Sequence, residues 1–340
     1  MNTTRKIVAV IGQGFVGSSL TIGMQHAFDV YAYDKSGKLV QGAFDGLEPD
    51  EHNASRSGRE HRDTLQSTYA RPIARLVSVL EEGHRHEAFT DVYFVAVPTP
   101  MLPDGSADTS IVESVLDDLA SQPRSKKSCR IAVIKSTCPP GTTEAWNKKY
   151  ASTPLRVIFN PEFLTEANAV DDFRNQDRIV LGGPRPYINV VKQVFEAAFP
   201  QVQIVKTSST TAEMVKYVTN VHLAVKVSLA NEFCQICEAL DANGLDIDYD
   251  KVMAYATLDK RLGTSHWKVP GPMPSDDTGE YVKGFAGSCF IKDLNALMSV
   301  ATNLGIDPKV MTGAWQKNLE VRPQRDWEKL VGRAITVPPA

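Results

Sequence analysis

A cysteine late in the chain lies in a setting that suits covalent chemistry. Cys289 follows the small-residue turn "GFAGS", and Lys292 and Asp293 come three and four residues after it. A thiolate attacks carbonyl carbon readily when nearby groups favour its charged form. Taken alone, the pattern leaves three interpretations of Cys289 open: a nucleophile, a redox switch or a buried packing residue.

Two further polar residues share one helical face. Lys216 and Asn220 are four residues apart in a segment without glycine or proline, and this spacing places both on the same side of a helix. Such a pair on its own is more often a surface feature. A lysine beside an amide can also stabilise a developing oxyanion, which makes the two residues candidates for catalysis.

A glycine-rich motif near the N-terminus predicts a dinucleotide site. Gly12-x-Gly14-x-x-Gly17 follows an apolar strand and opens a predicted helix. Glycines permit a tight turn and a close approach of backbone N–H groups to a pyrophosphate, and a helix N-terminus favours anions. The motif alone is weak evidence, but strand, glycines, helix and second strand occur here in the required order.

An acid ends the second predicted strand at the position where a ribose would lie. Asp34 comes 22 residues after the first glycine (34 minus 12), which suits hydrogen bonds to ribose hydroxyl groups. The carboxylate favours NAD, because it would repel the extra phosphate of NADP. Lys35 and Lys38 lie next to it and keep the NADP alternative open.

Periodicity predicts a doubly wound α/β domain that ends near Thr207. Segments 110–120 and 187–198 have helical patterns. Continuous apolar strands that alternate with helices are typical of a parallel sheet covered on both faces. The predicted strands occupy residues 6–12, 29–34, 91–98, 130–137, 155–162, 178–183 and 201–207.

Three polar loops follow predicted strands and should converge on one crevice. They are "VAVPTP" (95–100), "KSTCPPGTT" (135–143) and "NPEFLTEANAVDDF" (160–173). Ligands of open α/β sheets bind beyond the carboxyl ends of the strands. These loops are therefore expected to line the site.

The second half of the chain is predicted to be helical. Thr210 and Glu213 fit a capping box, so a long helix is expected over 209–240, followed by further helices and a Pro/Gly-rich loop at 269–284. We therefore predict an NAD-binding domain over 1–207 and a helical domain over 208–340, joined by the long helix.

Composition excludes several classes of function. The formal net charge of -3 offers no basic field for nucleic acid, and the N-terminal apolar run is too short for a membrane span, so a cytoplasmic protein is expected. The five cysteines predict reduced thiols rather than a disulfide framework. Histidines in the polar segment 45–65, with His84 and His86, raise a zinc alternative, but no completing ligands accompany them and no metal is expected.

Several motifs together resemble one enzyme family. The segments GxGxVG, VPTP, STCPPGTT, NPEFLTE, AEMVKYVTN and GFAGSCFIKD resemble, in order and spacing, the UDP-glucose/GDP-mannose dehydrogenase family, the nucleotide-sugar 6-dehydrogenases. The resemblance covers about residues 5–320. It implies oxidation of a sugar alcohol to the aldehyde and then to the acid, with two NAD⁺ reduced and Cys289 as the nucleophile of the second oxidation.

The resemblance also implies roles for single residues. Catalysis is expected of Cys289, Lys216, Asn220, Asp293, Glu162, Glu166 and Thr137. The expected cofactor contacts are Gly12, Gly14, Phe15, Val16, Gly17, Asp34, Lys38, Pro98, Thr99, Ser136, Thr137, Glu166 and Lys292. The expected substrate contacts are Phe163, Leu164, Lys216, Asn220, Arg261, Phe285, Gly287 and Cys289.

Within this set the resemblance assigns distinct tasks. Lys216, helped by Asn220, stabilises the oxyanion, and Asp293 orients water and tunes the lysine. Glu166 acts through a water shared with Thr137. Arg261 reaches substrate across a homodimer, which the long helix is expected to form.

Two departures from the family pattern and two alternatives accompany this hypothesis. Ala286 replaces the middle glycine of the cysteine loop, where a methyl group could constrain φ, and the family's second α/β domain, which closes over the nucleotide, is expected to be absent. The alternatives are a non-catalytic NAD-binding scaffold and a two-electron β-hydroxyacid-type dehydrogenase. Cys138 and the pair Cys234 and Cys237 are interpreted as structural.

Overall fold

The computed structural model describes residues 6–40, 44–45, 73, 76–77, 80, 91–122, 129–272 and 279–337. These residues form two compact units. The first comprises the chain up to Pro98 together with Thr109–Lys216, and the second comprises Thr99–Asp108 and Tyr217–Ala340. All of the polar segment 45–65 except Asp45 lies outside the described residues, as do His84 and His86.

The first unit is built on one sheet, whose described strands number eight. In sheet order they run β3-β2-β1-β4-β5-β6-β7-β8. This order confirms the predicted doubly wound α/β fold, since the chain starts in the middle and winds outward in both directions. The strands are β1 Ile7–Ile11, β2 Asp29–Tyr33, β3 Phe44–Asp45, β4 Asp91–Val95, β5 Arg130–Ile134, β6 Leu155–Phe159, β7 Arg178–Gly182 and β8 Gln203–Thr207.

One junction in the sheet differs from the predicted parallel pattern. Strands β1 to β6 are parallel, but β6 meets β7 through a single antiparallel pair, Phe159 with Gly182, and β7 and β8 are then parallel to each other. A parallel crossover must return along a strand of about 17 Å. The helix between these strands has six residues, Ala169–Arg174, and spans only about 9 Å. It is too short to return the chain along β6, and β7 therefore runs in the opposite direction to β6.

Helices cover both faces of the sheet. Alternate residues of β1 point to opposite sides, with Ala9 and Ile11 in one apolar cluster and Val8 and Val10 in the other. Because both faces are buried, the strands read as continuous apolar runs. The helices whose bounds lie within the described residues of this unit are α1 Phe15–Met24, α2 Ser110–Ser121, α3 Thr142–Lys149, α4 Ala169–Arg174 and α5 Tyr187–Ala198.

The second unit is helical. It packs around Trp327, Ile291 and Leu294, with a smaller cluster that contains Trp267 and Tyr249. No helix in the described parts of the chain is long and apolar enough to cross a membrane. The elements are α6 Ser209–Ala242, α7 Tyr249–Ala256, α8 Cys289–Asn303, α9 Lys309–Val321 and a 3₁₀ helix, Asp326–Lys329.

Helix α6 begins in the first unit and continues into the second. The division between the units falls after Lys216, whereas the sequence predicted a domain boundary at 207–208. With 34 residues the helix is about 51 Å long. It therefore carries candidate site residues of both units on one continuous element.

The predicted capping box at the start of α6 is wrong. The cap is Ser208, whose Oγ accepts a hydrogen bond from the backbone N–H of Thr211 at 3.2 Å. Glu213 instead accepts the backbone N–H groups of Gly141 at 2.6 Å and Thr143 at 2.7 Å, which open helix α3. A long-range contact thus takes the glutamate away from its local partner.

Candidate active site

The glycine-rich turn has the close backbone contacts that its spacing predicts. Gly12 has φ of +90°, and a Cβ added there would lie 2.5 Å from the carbonyl oxygen of Ala96. A Cβ on Gly17 would lie 1.8 Å from the carbonyl oxygen of Gly12. The turn after β1 is therefore tight enough that both positions require glycine.

Gly14 differs from the other two glycines of the motif because no described residue packs against it. A Cβ added there meets no atom within 4 Å, and no side chain caps helix α1 at this residue. The first turn of α1 holds no acidic residue. Open space over exposed backbone N–H groups at a helix N-terminus fits a dinucleotide pyrophosphate. The expected contacts Phe15 and Val16 are the first residues of this helix and are half-buried.

Asp34 ties the second strand to the glycine turn. Its Oδ2 accepts the backbone N–H of Gln13 at 2.6 Å, and its Oδ1 accepts the N–H and hydroxyl of Ser36. Burial acts to raise the pKa of Asp34, but the hydrogen bonds from Ser36 and Gln13, with the charge of Lys38, hold it below its ordinary value. A charged carboxylate is therefore held at the edge of the turn.

Residues after β4 and β5 lie side by side at the carboxyl edge of the sheet. Ser136 Oγ donates to the carbonyl oxygen of Val97 at 2.6 Å, next to the exposed Pro98. Ser136 and Thr137 are each 8% exposed. The remaining residue of the expected turn, Thr99, is buried and belongs to the second unit.

A buried polar cluster follows β5 and β6. Lys135 Nζ lies 2.7 Å from Asn160 Oδ1 and 2.8 Å from Glu162 Oε2. Asn160 Nδ2 donates to the carbonyl oxygen of Val180 at 2.8 Å, and Glu162 Oε1 accepts the N–H of Phe163 at 2.8 Å. Each carboxylate oxygen of Glu162 is thus held by a partner, which fixes the orientation of this expected catalytic residue.

Lys216 contacts the same loop. Its Nζ donates to the backbone carbonyl oxygen of Glu162, and the side chain is largely buried. Burial lowers the pKa of Lys135, the charge of Glu162 opposes that shift and the charge of Lys216 reinforces it. Two buried lysines therefore flank one glutamate in the first unit.

The loop after Glu162 carries an aromatic ring, Phe163, that two cations approach. Arg178 Cζ lies 4.5 Å and Lys216 Nζ 5.7 Å from the centroid of the Phe163 ring. Leu164 is half-buried, whereas Glu166 is exposed. The expected water shared by Glu166 and Thr137 stays a prediction.

In the second unit, Asp293 receives two of the expected partners. Asn220 Nδ2 donates to Asp293 Oδ2 at 2.6 Å, and Lys292 Nζ lies 2.5 Å from Asp293 Oδ1. Asp293 is 1% exposed, and Asn220 is also buried. The structure therefore brings Asn220 to Asp293 and Lys292, although Asn220 and Asp293 are 73 residues apart along the chain.

Cys289 is the first residue of helix α8 and is half-buried. A side chain at this position lies beside backbone N–H groups that have no partner within the helix. Ser288 Oγ lies 3.9 Å from Cys289 Sγ. The position supports the interpretation of Cys289 as a nucleophile over that of a packing residue.

The cysteine loop retains glycine where the backbone requires it. Gly284 has φ of +79° and Gly287 has φ of +71°, whereas Ala286 is not among the described residues with positive φ. The methyl group of Ala286 therefore imposes no left-handed strain on the loop. Phe285, expected to contact substrate, is 5% exposed and packs against Phe290.

The remaining cysteines and Arg261 are placed elsewhere. Arg261 is exposed and pairs with Asp259 through contacts of 2.5 to 3.0 Å. None of the five cysteines forms a disulfide.

The pKa of Cys234 is raised to about 11 by burial, helped by the charge of Glu238. A thiol that stays protonated suits the predicted structural role of this residue. Among the described residues, no three His, Cys, Asp or Glu side chains are grouped to hold a metal ion.

Sequence reasoning missed two residues of this site. Lys135 and Asn160 are predicted parts of site loops, but nothing assigned them a role. The available signal was their polarity immediately after apolar strands, where a charged residue must find a buried partner. Their partners are 20 residues or more away along the chain, so no local pattern identifies them.

Comparisons with known proteins agree with this architecture. Residues 6–199 match the NAD binding domain of the UDP-glucose/GDP-mannose dehydrogenase family, and residues 210–320 match its central domain. The chain is 30% identical to a UDP-glucose 6-dehydrogenase of Haloferax volcanii over 94% of its own length and 70% of that protein. It is also 30% identical to a UDP-glucose 6-dehydrogenase of Bacillus subtilis, over 92% of its own length and 65% of that protein.

A solved structure shows the same fold. The UDP-glucose dehydrogenase of the hyperthermophilic archaeon Pyrobaculum islandicum superposes with a TM-score of 0.72 at 29% identity, over 95% of this chain and 70% of that one. The two family domains together account for most of the sequence. The chain therefore belongs to the UDP-glucose/GDP-mannose dehydrogenase family and contains its NAD binding and central domains.

Proposed function

We propose that the protein catalyses the NAD-dependent four-electron oxidation of a nucleotide sugar, with UDP-glucose converted to UDP-glucuronate. The observation that carries the proposal is the placement of Cys289 at a helix N-terminus, four residues before an Asp293 that is held by Asn220. A two-electron alcohol dehydrogenase has no need of a thiol. NAD, when bound, accepts one hydride in each of the two oxidations.

Residues of the first unit would hold the cofactor and handle the first oxidation. The open backbone over Gly14 receives the pyrophosphate, and Asp34 receives the ribose. The primary alcohol gives its proton to Glu166 through the water shared with Thr137, and Lys216 stabilises the alkoxide that forms, because a preorganised cation acts most strongly on charge that develops in the transition state. Glu162, fixed by Lys135, lines this part of the site.

Cys289 makes the second oxidation possible. Its thiolate forms a C–S bond to the aldehyde carbon, and the carbonyl oxygen takes the electron pair and becomes an oxyanion that Lys216 and Asn220 stabilise. The carbon now bears hydrogen on a tetrahedral centre, and loss of a hydride leaves a thioester. Water then attacks the thioester carbon, the C–S bond breaks and the electron pair returns to sulfur.

Carboxylates would supply the base for that hydrolysis. We assign Asp293 to orient the attacking water and Glu166, through a water shared with Thr137, to take its proton. Lys292 neutralises Asp293 on one side and Asn220 orients it on the other. The products are one carboxylate, a regenerated thiol and two reduced cofactors.

UDP-glucose is proposed as the substrate because the relatives are named for it. Both curated relatives described above are UDP-glucose 6-dehydrogenases, and so is the superposed solved structure. The chain spans 65 to 70% of the lengths of these proteins. Binding of the nucleotide part of the substrate by this chain is therefore also proposed. A cytoplasmic location also stays a prediction.

The stoichiometry of cofactor reduction tests the proposed function. Purified protein is incubated with NAD⁺ and a panel of UDP- and GDP-sugars, and NADH is followed by absorbance while the sugar product is identified by mass spectrometry. We expect two NADH per acid, with UDP-glucose as the best substrate. One NADH per product would instead indicate a two-electron dehydrogenase, and tight NAD binding without turnover would indicate a binding scaffold.

We further propose that the protein is a homodimer through helix α6. The exposed large apolar residues of this helix include Val218 (55%), Leu229 (40%), Phe233 (40%) and Ile236 (52%). Their separations of 11, 4 and 3 residues place them along one side of the helix. An apolar stripe of this length on an exposed face is typical of a helix that packs against a partner.

A charge within this stripe should disrupt the dimer. We expect Ile236→Glu to weaken dimerisation by at least about 100-fold, because a carboxylate would be buried without a partner. Sedimentation velocity over a range of concentrations measures the effect. Leu304→Glu is the matched control, since Leu304 is also exposed and apolar but follows helix α8. A dimer that survives Ile236→Glu unchanged contradicts the proposal.

A further inference from the structure

A buried asparagine makes two hydrogen bonds with the backbone of Phe285, in the loop that precedes Cys289. Asn318, on helix α9, accepts the N–H of Phe285 through Oδ1 at 2.7 Å and donates through Nδ2 to the carbonyl oxygen of the same residue at 3.1 Å. Asn318 is completely buried. Both ends of its amide group are therefore engaged with one loop residue, a geometry that leaves the loop little freedom to shift.

Two more buried side chains hold the residues before Phe285. Asn231 Oδ1 accepts the N–H of Gly284 at 3.3 Å. Arg322 Nη1 donates to the carbonyl oxygen of Lys283 at 3.3 Å, and its other nitrogens bind Asp326 at 2.9 and 2.5 Å. Four hydrogen bonds thus fix three consecutive backbone units, and the ion pair with Asp326 orients the arginine.

The loop approaches these side chains closely. A Cβ added to Gly284 would lie 2.6 Å from Asn318 Oδ1 and 3.3 Å from Arg322 Cβ. The left-handed φ at this position is the second reason that glycine is needed there. We refer to Asn231, Asn318 and Arg322 as the loop clamp.

Helix α6 holds the cysteine loop from both sides. Asn231 binds Gly284 before Cys289, and Asn220 binds Asp293 after it. The two asparagines are 11 residues apart, which is about three helical turns, so they lie on the same face of the helix. Cys289 therefore lies between two residues, Gly284 and Asp293, that are both hydrogen-bonded to helix α6.

We propose that the loop clamp positions Cys289 for attack on the aldehyde, with Asn318 as its principal member. Its catalytic consequence rests on the proposed function, whereas its effect on the loop does not. These residues act through the backbone of 283–285 and are positioning residues. Misplacement of a reacting group by about 1 Å can reduce a rate by about 100-fold, so a loop held in this way has a direct effect on turnover.

Matched asparagine deletions test the proposal. Asn318→Ala removes two contacts with the loop and Asn231→Ala removes one. Asn147→Ala is the control, because Asn147 makes the same two-point contact with the backbone of Val157 on strand β6, at 2.8 and 2.9 Å. Iodoacetamide labelling, mapped by mass spectrometry, then gives the alkylation rate of Cys289 in each folded variant.

We expect Cys289 to be alkylated about tenfold faster in Asn318→Ala, less so in Asn231→Ala and at the wild-type rate in Asn147→Ala. Acid formation should lose about ten- to 100-fold in kcat in Asn318→Ala, with KM for NAD within about twofold. A wild-type alkylation rate in Asn318→Ala, or an equal rise in Asn147→Ala, would overturn the proposal. If Asn318→Ala does not fold, Asn231→Ala decides on the same readout.

The labelling result separates this proposal from the function it builds on. A wild-type protein without turnover would refute the proposed oxidation, yet the alkylation rates would still show whether the clamp controls Cys289. Normal turnover with unchanged alkylation in the clamp variants would refute the clamp alone.

Discussion

Cys289→Ser is expected to abolish acid formation while the first oxidation continues. A serine hydroxyl remains protonated at neutral pH and adds to the aldehyde far more slowly than a thiolate. Acid production should fall on the order of 10³-fold or more, as for other enzymes that lose their nucleophile. The measurement is NADH formation together with trapping of the aldehyde, which should now accumulate.

Cys129→Ser provides the control for this variant. Cys129 is half-buried like Cys289, and its Sγ donates to the carbonyl oxygen of Pro154, a bond that a serine hydroxyl can also make. We expect its turnover to match that of the wild type. Undiminished acid from Cys289→Ser would show that the sulfur takes no covalent part in the reaction.

Lys216→Met should lower both kcat and kcat/KM by about 100- to 1,000-fold. Methionine is similar in length to lysine but cannot stabilise an oxyanion, and loss of one preorganised donor has an effect of this size in other enzymes. Because the interaction is strongest in the transition state, the two parameters should fall together. Steady-state kinetics with NAD and UDP-glucose measure both.

Stability must be followed in the same variant. Lys216 is 7% exposed and donates to the carbonyl oxygen of Glu162, so methionine leaves that buried carbonyl without its donor and should lower the free energy of unfolding by about 1–3 kcal/mol. Lys206→Met, at an exposed lysine that contacts Asn189, is the control for loss of charge alone. A Lys216→Met enzyme with kcat within about threefold of the wild type would remove the lysine from the mechanism.

The sheet could be predicted from sequence because its residues follow local rules. Val8 to Ile11 lie in a run that is apolar on both faces, and Gly12 and Gly17 are required by backbone contacts of a turn whose spacing is fixed. The reversal at β7 could not be predicted, because its signal is the length of a short intervening helix rather than any residue type.

The partners of buried polar groups could not be predicted from sequence, for a different reason. Lys135 with Glu162 and Asn318 with Phe285 are separated by 27 and 33 residues, and only the folded chain brings them together. A local rule even misled in one case, since Glu213 has the capping-box spacing but bonds to residues some 70 positions away. Each such group still obeyed the requirement that buried polar atoms find partners.

The contact of Glu213 with helix α3 has a consequence for where a phosphate can bind. Helices α1 and α3 both start beyond the carboxyl ends of parallel strands, so both could attract an anion. At α3 the carboxyl group of Glu213 already occupies the N–H groups of Gly141 and Thr143. Among the described residues no side chain caps helix α1, so the contact of Glu213 directs a dinucleotide pyrophosphate to the N-terminus of α1 rather than to that of α3.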